Sequence, residues 1–152
     1  MVLDLFAGTG NLGIEALSRG AKKVIFVEKG THALTLIQKN RAQFALQERS
    51  EVLPLDANRA IGILKQREKT FDLIFMDPPY EKGLIEKTLT KLISHPIYHK
   101  DSILVIEHHR RERLPPAIRG WNLIRERQMG ETVISFLTPR EDDASSEAAV
   151  ES

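Results

Sequence analysis

The chain has no cysteine at any of its 152 positions. That excludes disulfides and every metal site built on thiolates, and a reducing cytoplasm is the expected setting. It also has no uninterrupted apolar run near the roughly 18 residues that a membrane-spanning helix requires. No basic stretch followed by an apolar run and a cleavage site opens it, because Met1 leads straight into a strand-like segment. Aromatic residues are scarce, at 6%, with a single tryptophan.

What is present is an ordinary globular composition, with 41% hydrophobic and 28% charged residues, enough for one domain. The net charge of +1 conceals an asymmetry. Residues 139–152 hold Arg140 against Glu141, Asp142, Asp143, Glu147 and Glu151, a balance of −4 that leaves +5 for residues 1–138. The acidic, unpatterned tail reads as disordered. A mildly basic body is compatible with nucleic acid without being diagnostic.

Along the body, strand-like and helix-like patterns alternate. Apolar runs at Val2–Phe6, Lys23–Glu28, Glu51–Leu55, Phe71–Met76 and Ile103–Glu107 predict strands. Pro54 inside the third of these favours a sheet edge. Helices are expected over about Leu12–Arg19, ended by Gly20; from Thr31 as cap, with Ala33, Ile37 and Phe44 on one face; over Ala57 to about Glu68; and over about Gly83–Ser94. Trp121–Arg127 and Thr132–Leu137 flank a turn at Gly130 and predict an antiparallel hairpin. The fold class is therefore α/β: a mostly parallel seven-stranded sheet, helices on both faces, and a C-terminal antiparallel hairpin. Ligands of such sheets bind at the carboxyl ends of the strands, near the point where strand order reverses.

Two motifs stand at such strand ends. The first, Asp4-Leu5-Phe6-Ala7-Gly8-Thr9-Gly10, continues to Gly13 and satisfies GxGxxG, and Glu28 ends the next strand. That context fits a dinucleotide fingerprint with Glu28 on a ribose hydroxyl, so an NAD-dependent oxidoreductase is one reading. A tight strand-to-helix turn without ligand is the plainest one. Asp4, placed ahead of the glycines, opposes a pyrophosphate but suits a cofactor that carries an ammonium and a sulfonium, namely S-adenosylmethionine. The second motif is Asp77-Pro78-Pro79-Tyr80. Its prolines stiffen the turn and remove two N–H donors, so acceptors dominate. Hydrogen bonds from an exocyclic amine to Asp77 and the Pro78 carbonyl favour a pyramidal, nucleophilic nitrogen, and Tyr80 can stack on the base. A base in folded RNA must be unpaired or flipped to reach such a pocket.

These stretches, with Leu12-Gly-Ile-Glu-Ala-Leu-Ser-Arg-Gly20, Val27-Glu28, Phe71–Met76 and Val105-Ile-Glu107, resemble the Rossmann-like class I methyltransferases that act on amines. More narrowly they resemble the RsmD family, which methylates the exocyclic N2 of a guanine in bacterial 16S ribosomal RNA. The resemblance implies that Asp4, Phe6, Ala7, Gly8 and Gly10 line the methionine end of S-adenosylmethionine and that Glu28 binds the ribose. It places Asp56 and Ala57 by the adenine, and Asp77, Pro78, Pro79 and Tyr80 around the guanine. It implies a methyltransferase domain at 1–138 that lacks the usual N-terminal extension, with weak cofactor affinity as the expected consequence, and a disordered tail at 139–152. A third reading is a truncated cofactor-binding protein without turnover.

His108-His109-Arg110-Arg111 is expected to follow the fifth strand and to flank Tyr80, where Arg110 and Arg111 can contact phosphates of 16S rRNA or of the assembling small subunit. His95 and His99 are separated by Pro96 and lack a third ligand, so no metal site is expected. A cytoplasmic monomer that does not engage membranes completes the expectation.

Overall fold

The computed structural model describes residues 1–80, 83–114, 118 and 120–141. Seven strands form one sheet: β1 (Val2–Leu5), β2 (Val24–Val27), β3 (Ser50–Leu53), β4 (Phe71–Met76), β5 (Tyr98–His109), β6 (Trp121–Met129) and β7 (Thr132–Pro139). Four α-helices connect them: α1 (Asn11–Ser18), α2 (Thr31–Gln43), α3 (Ala57–Gln66) and α4 (Leu84–Ser94). The spatial order is β3-β2-β1-β4-β5-β7-β6. The first five strands pair in parallel, and β7 runs antiparallel to both β5 and β6. Strand order reverses between β1 and β4, the expected ligand crevice of an open sheet.

The pleat sorts the side chains. Along β2, Val24 and Phe26 join Leu17 of α1 and Ile37 of α2 in one core, whereas Ile25 and Val27 join Ile61 and Leu64 of α3 and Leu89 and Leu92 of α4 in the other. The helices thus lie on both faces. Because both faces of the central strands are covered, β1 and β2 are buried at every position.

Several local expectations are corrected. Helix α2 is capped by Gly30 in an extended conformation, so Thr31 is its first residue and makes no side-chain cap bond. Phe44 terminates that helix and is 56% exposed, outside the stripe that holds Ile37. Strand β3 is the sheet edge, but it ends at Leu53, so Pro54 lies just outside it rather than inside. Strand β5 is much longer than Ile103–Glu107. Its lower end gains Phe71 as partner of Tyr98, and its upper end gains β7, which pairs His108 with Val133 and His109 with Thr132. The histidine pair therefore lies within the strand rather than after it. The hairpin turns at Gly130, whose φ of +64° is left-handed. Pro139 is the last residue of β7, and most of the expected tail lies outside the described residues.

Candidate active site

The pleat directs Asp4 to the α1/α2 face, where it is 1% exposed. There its carboxylate accepts the Gly13 N–H at 3.0 Å. Gly10, the N-cap residue of α1, has no side chain to do this, so Asp4 caps the helix from the strand beneath it. Gly13 has no room for a side chain, because a Cβ would stand 2.3 Å from Phe26 Cε1. Gly10 likewise packs on Phe26, with a Cβ at 3.3 Å. Gly8 differs: its φ is +58° and a Cβ there would meet nothing within 4 Å, because the loop is open on that side.

Glu28 ties two loops together. One carboxylate oxygen accepts the Gly8 N–H at 2.8 Å and the other accepts the Gly30 N–H at 2.7 Å. Each oxygen keeps a lone pair free for a ligand hydroxyl. Asp56 is the N-cap of α3, accepting the Arg59 N–H at 3.0 Å, with Ala57 buried beside it. Beyond β4, Asp77 and Pro79 are exposed and Pro78 is buried. Tyr80 is 75% exposed, and its ring meets His109 edge-on with centroids 6.1 Å apart.

A cavity of about 900 Å³ lies across these strand ends, large enough for a nucleoside-sized ligand. Phe6, Ala7, Gly8, Glu28, Asp56, Ala57, Asp77, Pro78 and Pro79 all line it. Asp4, Gly10 and Tyr80 do not: the first two lie beneath the loop, and Tyr80 stands outside. Sequence reasoning missed other lining residues, among them Asn11, Leu12, Asn58, Leu84, Lys87 and Thr88. All six stand in the first turn or two of α1, α3 or α4. Their signal was the position just after each expected helix start, where a helix that begins at a strand's carboxyl end faces the crevice. A smaller cavity of about 370 Å³ adjoins the first, sharing Leu12 and Asp77 with it.

Carboxylates dominate the electrostatics. Burial pushes the Asp4 carboxyl up to about 7; the Gly13 N–H opposes this, and Asp77 and Glu28 add to it. Desolvation, and then the Glu107 carboxylate, push Asp77 up to about 6. A cation placed near Asp4 and Asp77 would relieve both, and the residues present fit S-adenosylmethionine on that ground. They fit a dinucleotide poorly. Asp4 already occupies an N-terminal amide of α1, the helix end that a pyrophosphate would use.

Arg110 and Arg111 stand in the turn after β5, next to His109. Arg110 lies 3.8 Å from Glu131, which also meets His109 at 3.3 Å. The Arg111 guanidinium has no carboxylate partner among the described residues. No helix of the described residues is long and apolar enough to cross a membrane.

The chain is similar to known proteins over most of its length. The sequence profile of the family described as "Conserved hypothetical protein 95" matches residues 1–138. A Bacillus subtilis protein, YlbH, named as a candidate rRNA methyltransferase, is 36% identical over 138 residues, which cover 91% of this chain and 75% of that protein. Ribosomal RNA small subunit methyltransferase D of Escherichia coli K12 is 31% identical over 146 residues, covering 96% of this chain and 71% of the relative. A solved conserved hypothetical protein of Streptococcus pyogenes superposes with a TM-score of 0.83 at 34% identity, over 91% of this chain and 85% of that one. The family match and these identities agree with the glycine loop and the Asp77-Pro78-Pro79 turn on a single cavity: the chain belongs to the conserved hypothetical protein 95 family, the RsmD family.

Proposed function

We propose that this protein is an S-adenosylmethionine-dependent methyltransferase of ribosomal RNA and that its target is the exocyclic N2 amine of a guanine in bacterial 16S rRNA. One observation carries the reading: the Asp77-Pro78-Pro79 turn and the Gly8–Glu28 cradle line one cavity. The E. coli relative's name supplies small subunit rRNA as the substrate class.

Bound in that cavity, S-adenosylmethionine supplies a methyl group on a sulfonium. Glu28 would hold the ribose hydroxyls through its free lone pairs, and Asp56 and Ala57 would border the adenine. Asp4 would favour the cationic end from beneath the loop while holding α1 in place. Asp77 would accept a hydrogen bond from the guanine amine, concentrating its lone pair on nitrogen and fixing its direction of attack. Asp77 would hold the amine in line with the methyl group that the cofactor would supply, and Asp77 or solvent would take the one proton that N2 gives up in exchange. Positioning supplies most of the rate, and no strong base is needed.

The catalytic unit in this reading is residues 1–138, and the protein works in the cytoplasm as a monomer. Arg110 and Arg111 would contact rRNA phosphates beside Tyr80. Relatives named as methyltransferases and the carboxylate beneath the α1 terminus count against an NAD-dependent oxidoreductase.

The test is transfer of radiolabelled methyl to 16S rRNA or small subunits from cells that lack the modification. Asp77→Ala is expected to lose nearly all transfer while calorimetry shows cofactor binding retained. Retained transfer would sink the role of Asp77. Binding without transfer by the unaltered chain would instead favour a cofactor-holding protein without turnover.

A further inference from the structure

Glu107 is a member of the Val105-Ile-Glu107 stretch, and the chemistry above leaves it unused. Strands β4 and β5 are parallel neighbours with Met76 opposite Ile106. The next residues along, Asp77 and Glu107, therefore stand side by side. Met76 and Ile106 both point into the α3/α4-side core. Alternation then sends Asp77 and Glu107 to the opposite face, on strands about 4.8 Å apart. Both line the smaller cavity, with Leu12, Phe75, Val105 and Phe136 as apolar walls. That cavity joins the cofactor cavity at Asp77 and Leu12.

Glu107 is partly buried, yet among the described residues its carboxylate takes part in no hydrogen bond or ion pair. Arg110 and His109, close by in sequence, lean on Glu131 instead. Two adjacent carboxylates without a cation are costly unless a ligand brings two adjacent donors. Of the bases that carry an exocyclic amine, only guanine places a ring N–H next to it. Adenine and cytosine present a lone pair at the equivalent ring nitrogen.

We infer that Glu107 is a specificity-determining residue that accepts the guanine N1–H while Asp77 accepts from N2, so that the carboxylate pair reads guanine by its two neighbouring donors. This rests on the methyltransferase reading above. An adenine or a 2-aminopurine in the same pose turns a ring lone pair toward Glu107. The mismatch is expected to reduce transfer on the order of 10- to 100-fold, the discrimination typical of a paired base contact.

The test uses 16S rRNA assembled by splinted ligation. It carries at the mapped target either guanine or 2-aminopurine, which keeps the amine but has no proton on N1. The unaltered protein should prefer guanine by at least about tenfold in kcat/KM. Glu107→Gln can turn its amide to donate, so it should lose activity on guanine and bring the two substrates toward parity. A thermal shift with S-adenosylhomocysteine verifies that the variant is folded and binds cofactor. Equal use of both substrates by the unaltered protein would overturn the inference. So would a Glu107→Gln variant that slows both substrates alike, because that is the signature of a structural role. No transfer to guanine by the unaltered protein would overturn the methyltransferase reading along with it.

Discussion

Replacing Asp4 with asparagine tests how a buried carboxylate is tolerated beneath the glycine loop. The group ordinarily titrates near 3.8, and in the folded chain it is pushed up to about 7. A carboxyl with a raised folded value binds its proton more tightly in the native state. Its contribution is fully present below about pH 4 and is lost as pH rises through about 7. At 1.36 kcal/mol per pH unit the full loss is about 4 kcal/mol. Asparagine keeps an oxygen to accept the Gly13 N–H but cannot ionise. Urea unfolding of both proteins at pH 4.5, 6 and 8 should give similar stabilities at the lowest pH. The variant should then gain on the parent as pH rises, approaching a few kcal/mol at pH 8. Taking the difference between the two curves cancels groups that titrate alike in both, such as exposed Asp72, which its N-terminal ammonium and His99 partners hold below the usual carboxylate range. A cationic ligand should also favour ionised Asp4. S-adenosylmethionine affinity should therefore rise more steeply between pH 5.5 and 7.5 in the parent than in Asp4→Asn, where of this pair only Asp77, pushed up to about 6, still titrates in that window. Stability curves that run parallel across this range would refute the placement of an ionisable burden at Asp4.

Gly13→Ala places a methyl group 2.3 Å from Phe26 and 2.8 Å from Val24, both fully buried, and should destabilise by about 1–3 kcal/mol, read as a fall of roughly 2–12 °C in Tm. An unchanged Tm would show that α1 can slide away from β2. Tyr80→Ala removes an exposed ring that does not line the cofactor cavity. It should leave Tm and cofactor affinity unchanged while lowering kcat/KM on rRNA about 5- to 100-fold through lost stacking. Undiminished transfer would remove Tyr80 from the substrate site.

Much of the fold was legible because its signals are local. Apolar runs of four to six residues, separated by helical spacing and glycine turns, lead to a parallel sheet with helices on both faces. Gly20 and Gly83 mark helix ends by their left-handed backbone, which few other residues adopt. Long-range pairing was less legible. The full length of β5 depends on Phe71 at one end and β7 at the other, partners 27 residues and about as many again away in sequence. Nothing local distinguishes His108 and His109 in a strand from the same residues in a loop. The capping of α2 by Gly30 rather than Thr31 was hidden for a related reason: Glu28, two residues earlier, takes the Gly30 N–H and sets the geometry of the entry.

The same division runs through the site. The motifs named the chemistry by residue type: a glycine loop after one strand, an acidic Pro-Pro-aromatic turn after another, and an acid at the end of a third. Each is contiguous, so sequence alone determined that these groups exist at strand ends. Only the tertiary structure decided which of them meet. It put Asp4 beneath the loop as the cap of α1, made Glu28 the clamp between two loops, and left Tyr80 outside the cavity beside His109. It also set Glu107 next to Asp77, although 29 residues intervene between them, because β4 and β5 are adjacent and in register. Register between strands is a property of the packed sheet, set by which faces can be buried together, and no short stretch of sequence contains it.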